Sequence, residues 1–467
     1  MINPIYFKTT NHNKYIYDNS TRMVLPVNNY NITNEHIKDS TIIDERLLTE
    51  IQKDYPDIPL FADINIKEQQ EELLNHCFQH VHENGIRQLI LMITEQCNFR
   101  CNYCIYSDMY SYSRYHSFNS MSWSIAKKSI DYYMAFNKES LTYNPTLLPC
   151  IGFYGGEALI NWNLIVKVVN YVESNYRKTF NNLMYSITTN GSLMDREKII
   201  FMLEHNFFIN ISIDGYKENH NRNRKYVSGK ATFEDIMKNI SILEEEFKKR
   251  NKPEKNLTSY QFVMTYDNET SINKLIEEAD KNSELYAHFA RMSKVRGIDT
   301  NYYSNQCSET RINNEIAFHI KKYMQNETKN KIAEILYKQN VLIPAFNTQF
   351  SNNISGGTYI AGEKLAVSSD GKFYICEKID YQSPIGDVDH GLDFKLQHKY
   401  LKEYFDMRNK HCIDCNLSNI CNQCYSQCSN GDGNFNLNLE MCEKMKKNAA
   451  QIFSIYYTAR ENRVDFI

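Results

Sequence analysis

Glycine and proline are scarce, at 16 and 9 in 467 residues, which excludes a linker-rich or collagen-like chain. An excess of charge of one sign is also missing: the net charge of −3 makes no case for a nucleic-acid surface. No run of about 18 apolar residues is present, so no membrane-spanning helix is expected. The start, Met1-Ile2-Asn3-Pro4-Ile5-Tyr6, has neither the basic residues nor the apolar core of a signal peptide, and a cytoplasmic location is expected. Disulfides are not expected there, so the 13 cysteines point to metal ligation. What is present is a hydrophobic fraction of 42%, enough over this length for two or three folded domains.

The cysteines are unevenly placed. Three lie in Cys97-Asn98-Phe99-Arg100-Cys101-Asn102-Tyr103-Cys104, and six lie between Cys412 and Cys442. A C-x3-C-x2-C spacing offers three thiolates to one small inorganic body. A closed zinc site takes four ligands, whereas an iron–sulfur cube on three thiolates keeps one iron without a protein partner. The triad directly follows Leu89-Ile90-Leu91-Met92-Ile93-Thr94, which reads as the first buried strand of a β/α barrel. Loops at the C-terminal ends of such strands carry a barrel's chemistry.

This motif resembles the signature of the radical S-adenosylmethionine enzymes. The resemblance implies a [4Fe-4S] cluster on Cys97, Cys101 and Cys104 whose open iron binds the methionine part of S-adenosylmethionine. It also implies reductive cleavage to a 5′-deoxyadenosyl radical that takes hydrogen from a substrate, the hard chemistry belonging to the cofactors. Phe153-Tyr154-Gly155-Gly156-Glu157 resembles the family's Gly-Gly-Glu segment. There Gly155 and Gly156 would let backbone approach a ligand closely, and Glu157 would pair with the methionine ammonium. Thr188-Thr189-Asn190-Gly191 and Ser212-Ile213-Asp214-Gly215 resemble segments that line the cofactor, which implies roles for Asn190 and Ser212. Arg224, in His220-Asn221-Arg222-Asn223-Arg224, resembles the arginine of the family's His-Asp-x-x-Arg and would hold the methionine carboxylate. Asn221 stands where Asp is usual, and Arg222 is a neighbouring candidate. Tyr103 sits where the family places an aromatic against the adenine; packing on the loop explains it equally.

Four segments are expected. In residues 1–85, Asn13–Asp18 and Arg22–Val27 flank Asn19-Ser20-Thr21 as a β-hairpin, with helical stretches at Glu45–Lys53 and Lys67–Asn84. This resembles winged-helix-like modules that bind leader peptides by adding them as a strand to a sheet edge; a cap closing the barrel is the alternative. Residues 86–300 alternate buried strands (Leu89–Thr94, Cys150–Tyr154, Tyr185–Thr189, Ile209–Ile213, Tyr260–Thr265) with helices (Ser122–Asn137, Asn163–Tyr176, Phe233–Arg250), an α/β pattern. The family resemblance implies a partial (β/α)6 TIM-like barrel. Residues 301–355 read as a helical bridge and 356–467 as a cysteine-rich end.

That end resembles the SPASM domain, which carries auxiliary iron–sulfur clusters in peptide-modifying members of the family. Gly371 followed by Cys376 matches its hairpin, and the sequel is Cys412, Cys415, Cys421, Cys424, Cys428 and Cys442. Two departures stand out. No cysteine lies between Ser351 and Ile375, and Tyr425 occupies a position where the domain has cysteine. The resemblance implies one complete auxiliary cluster on Cys412, Cys415, Cys421 and Cys442. It implies at most three ligands for another, from Cys376, Cys424 and Cys428, with distant Cys307 as a speculative fourth. An open iron there could bind a substrate thiolate. Zinc on Cys412, Cys415, Cys421 and Cys424 is an alternative, and Cys77 and Cys150 read as buried small apolar residues.

The resemblance therefore implies maturation of a ribosomally made, cysteine-containing precursor peptide with a leader, through thioether formation. An electron donor such as ferredoxin or flavodoxin is implied as partner, and neither nucleic acid nor membrane. Anaerobic sulfatase maturation is an alternative, as is a non-catalytic iron–sulfur peptide-binding protein. Glu377, after Cys376, is a candidate proton acceptor or an exposed hairpin carboxylate.

Overall fold

The chain opens with five short antiparallel strands: β1 (Ile5–Lys8), β2 (Lys14–Asp18), β3 (Met23–Pro26), β4 (Ile37–Lys38) and β5 (Thr41–Ile42), in the spatial order β3-β2-β1-β5-β4. The hairpin expected around Asn19-Ser20-Thr21 is β2–β3, paired from Tyr15↔Pro26 to Asp18↔Met23. Asp18 builds its turn by accepting from Ser20 and Thr21, both backbone and hydroxyl. Alternation sends Tyr6, Ile16 and Leu25 to a small core with Leu48 and Ile51 of α1 (Glu45–Lys53), whose N-terminus Asp44 caps. The computed structural model describes residues 3–63, 66–107, 114–250, 259–295, 306–342, 359–379, 381–421, 423–429, 434–437 and 439–462.

The helix expected at Lys67–Asn84 is α2 (Ile66–Asn84). It leaves the N-terminal sheet and packs against barrel and C-terminal helices, so position 85 divides the sequence but not the packing. The barrel follows as β6 (Gln88–Thr94), α3 (Trp123–Ser140), β7 (Cys150–Gly155), α4 (Trp162–Asn175), β8 (Met184–Thr189), α5 (Arg196–Glu204), β9 (Phe207–Ser212), α6 (Lys217–Asn223), α7 (Phe233–Arg250), β10 (Ser259–Tyr266), α8 (Ile272–Lys281) and β11 (Phe289–Lys294). Each of these strands pairs in parallel with the next. The helices carry apolar stripes at helical spacing; α4 buries Leu164, Ile165, Val168, Val169 and Val172 against the sheet. Beyond β11, α9 (Gln306–Met324) and α10 (Lys331–Tyr337) provide the helical bridge, and Glu315 caps the start of α8.

The cysteine-rich end does not hang from the barrel as a separate sheet. Its strand β12 (Lys364–Val367) pairs in parallel with β6, Lys364↔Gln88 through Val367↔Leu91. β13 (Lys372–Tyr374), β14 (Gly386–Asp387) and β15 (Gly391–Leu392) continue it, making one ten-stranded sheet. Next come α11 (Phe394–Cys412), α12 (Tyr425–Cys428) and α13 (Leu439–Glu461). α13 lies on the N-terminal sheet, where Phe453 meets Phe7 and Tyr17 at 5.5 and 4.9 Å between ring centres. Among the described residues no helix is long and apolar enough to cross a membrane.

Candidate functional site

The Cys97–Cys104 loop leaves the C-terminal end of β6 and is stitched down on two sides. On one side Arg100 N donates to Lys225 O at 2.8 Å, Asn102 N to Asn223 O at 3.0 Å, and Val227 N to Asn98 O at 3.0 Å. On the other, Asn190 Nδ2 donates to Asn98 Oδ1 at 2.9 Å and Asn98 Nδ2 to Ser192 Oγ at 2.8 Å. Asn190 therefore meets the loop through Asn98. The three thiols are half-buried and in electrostatic reach of one another. Burial raises all three, and Cys101 is pushed up to about 12 even though Arg224 pulls the other way.

Glu157 is 1% exposed and accepts three hydrogen bonds: Asn190 N at 2.7 Å, Thr189 Oγ1 at 2.7 Å and Leu159 N at 3.0 Å. Burial still holds its carboxyl above the ordinary value. The glycines before it do something the sequence did not announce. Gly156 N donates to Thr94 O and Glu157 N to Gln96 O, both at 2.8 Å. A Cβ on Gly155 would stand 2.2 Å from Thr94 O, and one on Gly156 2.3 Å from Gln96 O. These glycines admit the backbone that leads into Cys97, and Gly155, at φ +148°, takes a conformation side chains disfavour.

The choice between the two arginines is made by geometry. Arg224, 8% exposed, pairs with Asp214 at 3.0 Å, sets Nη1 3.9 Å from Cys101 Sγ, and lies over the Tyr103 ring at 5.3 Å. Tyr103 donates its hydroxyl to the same Asp214 carboxylate. Arg222 turns elsewhere, to Asp267 at 2.7 Å and Glu269 at 3.1 Å. Asn221, in place of Asp, accepts from Thr232 N and Phe233 N at 3.1 and 3.0 Å and so ends the turn that starts α7. His220 is buried between Asp214 N and Thr232 Oγ1.

Alternate residues of β8 and β9 (Ser186, Thr188, Asn210, Ser212) are partly exposed, facing a polar lumen while their neighbours are buried outward. Gln88 and Ser186 meet over β7 at 3.5 Å with Cys150 between them, so Cys150 is a half-buried thiol among polar groups and not the buried apolar residue expected; Cys77 is buried as expected. Paired neighbours share a face, so Lys364 opposite Gln88 points inward too. Its ammonium lies 2.7 Å from Glu377, which is buried rather than exposed on its hairpin. Burial works against the Glu377 carboxylate, but Lys364 outweighs it and holds the pKa down at about 2. Burial pushes Cys376 up to about 11. Arg114, 1% exposed, holds this hairpin by donating to the carbonyls of Glu377, Cys376 and Ile379, and it stacks on Tyr381.

Cys412, Cys415 and Cys421 lie in one tight loop, Cys415 N donating to Cys412 O at 3.2 Å. Cys442 comes from α13 and accepts from Gln423 at 3.0 Å. Cys424 opens α12 and Cys428 closes it, with Cys428 buried. Tyr425 replaces cysteine because its ring belongs to the core beside Tyr400, Tyr404 and Phe435, its hydroxyl bonded to Tyr359 O at 2.9 Å. Lys364 lies in electrostatic reach of both Cys376 and Cys424. The Cys307 side chain is outside the described residues. Among the described residues no three Cys, His, Asp or Glu side chains close around a single ion; thiols at the corners of a cube stand further apart than ligands of one atom.

Asp214, Lys364 and Arg114 were not anticipated as site residues. A carboxylate before glycine at a strand end was a usable signal for Asp214. Nothing local marked the other two.

Residues 91–279 match the model of the radical SAM superfamily. A cysteine-type anaerobic sulfatase-maturating enzyme of Clostridium novyi is 33% identical over 160 residues, 34% of this chain and 40% of that one. An uncharacterised protein of Methanocaldococcus jannaschii is 33% identical over 160 residues, 49% of its length, so the chain matches half or less of either relative. The radical SAM cyclopropyl synthase TigE of Paramaledivibacter caminithermalis is 21% identical over 72% of this chain and 67% of its own. In fold the chain is similar to native anSMEcpe solved with bound AdoMet and Cp18Cys peptide, with a TM-score of 0.60 and 19% identity over 80% of this chain and 99% of that one. With the triad loop at the mouth of a six-stranded parallel barrel, and the superfamily's model matched across that barrel, this chain carries a radical SAM domain.

Proposed function

We propose that this chain is a radical S-adenosylmethionine maturase of a ribosomally made, cysteine-containing peptide. One observation carries the reading: Arg224 stands against Cys101 of the triad loop, and Tyr154, at the end of β7, is in electrostatic reach of both Cys104 and Glu377. Cys97, Cys101 and Cys104 would hold a [4Fe-4S] cluster. Glu157 would take the ammonium of S-adenosylmethionine and Arg224 its carboxylate, with Tyr103, Asn190 and Ser212 lining the rest. When bound, that cluster supplies the electron that splits S-adenosylmethionine into methionine and a 5′-deoxyadenosyl radical.

The chain's own residues do the remainder. The barrel walls exclude water from the reacting carbon, and the lumen admits a peptide. Forming a C–S bond from C–H and S–H removes two hydrogens. One goes, as a hydrogen atom, to the deoxyadenosyl radical. The thiol proton needs a base, a role Glu377 would fill, and the one electron left over would be taken up by an auxiliary cluster on the terminal cysteines. While paired with Lys364, Glu377 is a weak base; a substrate group that draws Lys364 away restores its basicity. Cys412, Cys415, Cys421 and Cys442 would hold one auxiliary cluster, and Cys376, Cys424 and Cys428 would serve another. The N-terminal sheet, with β3 at its edge, offers a leader peptide a strand to pair with. Single electrons would come from a ferredoxin or flavodoxin, in a reducing cytoplasm. TigE, a radical SAM cyclopropyl synthase, aligns over 72% of this chain, and the comparisons support peptide maturation and sulfatase maturation alike.

Sulfatase maturation is the second reading, favoured by the higher identity to the Clostridium novyi enzyme and by a carboxylate after the hairpin cysteine. Anaerobic incubation of the iron-loaded chain with S-adenosylmethionine and dithionite tests the class: 5′-deoxyadenosine is expected, and Cys97→Ala abolishes it. No deoxyadenosine from the loaded chain would leave only a peptide-binding scaffold. Mass spectrometry of the treated peptide then separates the two enzymes. A thioether leaves the peptide lighter by two hydrogens, whereas formylglycine loses two hydrogens and also exchanges the cysteine sulfur for oxygen.

A further inference from the structure

Arg408 is 2% exposed, on α11, one turn before Cys412. Four residues apart on a helix means the same face. Nη2 donates to Ser418 O at 3.4 Å, and the guanidinium lies 5.9 Å from the centre of the Tyr404 ring. Nε and Nη1 are buried and find no hydrogen-bond acceptor among the described residues. No carboxylate there stands within ion-pairing distance of it. Ser418 belongs to the loop between Cys415 and Cys421, so the guanidinium lies against the loop that carries three of the terminal cysteines. It is in electrostatic reach of Cys412, Cys415, Cys421 and Cys428.

A buried cation with idle donors is costly unless an anion meets it. Four thiolates around an iron–sulfur cube form such an anion, and hydrogen bonds and charge near its sulfurs set its reduction potential. We propose that Arg408 is the built-in counter-cation of the terminal cluster on Cys412, Cys415, Cys421 and Cys442, a positioning residue that raises that cluster's potential. The inference rests on the reading of those four cysteines as cluster ligands.

The test compares Arg408→Met and Arg408→Lys with the parent, each measured iron-free and after loading with ferrous iron and sulfide. In the loaded chain, Arg408→Met shifts the reduction of the terminal cluster about tenfold toward the oxidised form, about 59 mV more negative in an EPR-monitored redox titration. Iron-free, the same change removes an unmet charge and shifts the unfolding equilibrium about tenfold toward the folded state. Arg408→Lys keeps the charge and moves the potential less. An unmoved potential, or a stability effect of the same sign with and without iron, overturns the role of Arg408. Cys412→Ala reads the premise separately: it must lower iron per chain, and an unchanged iron content would instead overturn the cluster assignment.

Discussion

At the scale of single residues, the two arginines of one short helix end have opposite fates. Arg224→Ala leaves Asp214, which is 0% exposed, without its cation; loss of one partner of a buried pair costs about 3–5 kcal/mol. Denaturant unfolding is expected to show that loss, and deoxyadenosine formation to fall with it. Arg222→Ala touches only the Asp267–Glu269 side, and deoxyadenosine formation is expected to persist. The motif pointed to Arg224, whose neighbours Asp214 and Tyr103 meet it only in the fold.

The thiols carry a pH prediction. Burial raises Cys101 to about 12 and Cys376 and Cys412 to about 11, above the ordinary thiol near 8.5. An acid whose folded pKa is raised holds its proton more tightly when folded. Its stabilising contribution is full below the unfolded value and is lost as pH rises through the folded one. The iron-free chain is thus expected to lose thermal stability from about pH 9 upward. Iron loading releases those protons, so its rate and extent should increase with pH, read from iron bound per chain between neutral and mildly alkaline buffer.

At the scale of elements, five barrel strands were legible because each is a short run rich in aliphatic, aromatic and β-branched residues that ends in turn residues. β11 was not: in Phe289-Ala290-Arg291-Met292-Ser293-Lys294 three polar residues break the apolar run, and its pairing with β10 makes it a strand. The Gly155-Gly156 step was legible as a motif, but the backbone it packs against became visible only in the fold. Its glycines face the backbone of Thr94 and Gln96. Gly156→Ala is expected to push the Gly155–Glu157 segment off the backbone that leads into Cys97 at about 1–3 kcal/mol, the usual cost of overpacking. Iron lost from Cys97, Cys101 and Cys104 would be its visible sign, in the triad cluster's EPR signal.

At the scale of the whole molecule, the N-terminal and C-terminal segments are one unit. Asn19, 0% exposed in the hairpin turn, donates to Cys415 O at 3.2 Å and Ser418 Oγ at 2.9 Å. Tyr15 reaches Glu461 at 2.8 Å. The sheet thus grips both limbs that carry the terminal cysteines, the Cys412–Cys421 loop and the Cys442 helix. Phe453→Ala, which empties the contact between them, is expected to cost about 3–5 kcal/mol. Hydrogen exchange should show β1 and β2 losing protection before the barrel does.

The chemistry was determined by sequence alone, because ligand spacing and strand-end turns are local. Three thiols in eight residues, a Gly-Gly-Glu after the next strand and an arginine ten residues beyond Asp214 need no distant partner to be read. Only the tertiary structure decided which side chains charge those motifs. Lys364 meets Glu377, Arg114 holds the hairpin of Cys376, and β12 closes on β6 through pairings between residues hundreds of positions apart, and no short segment records them.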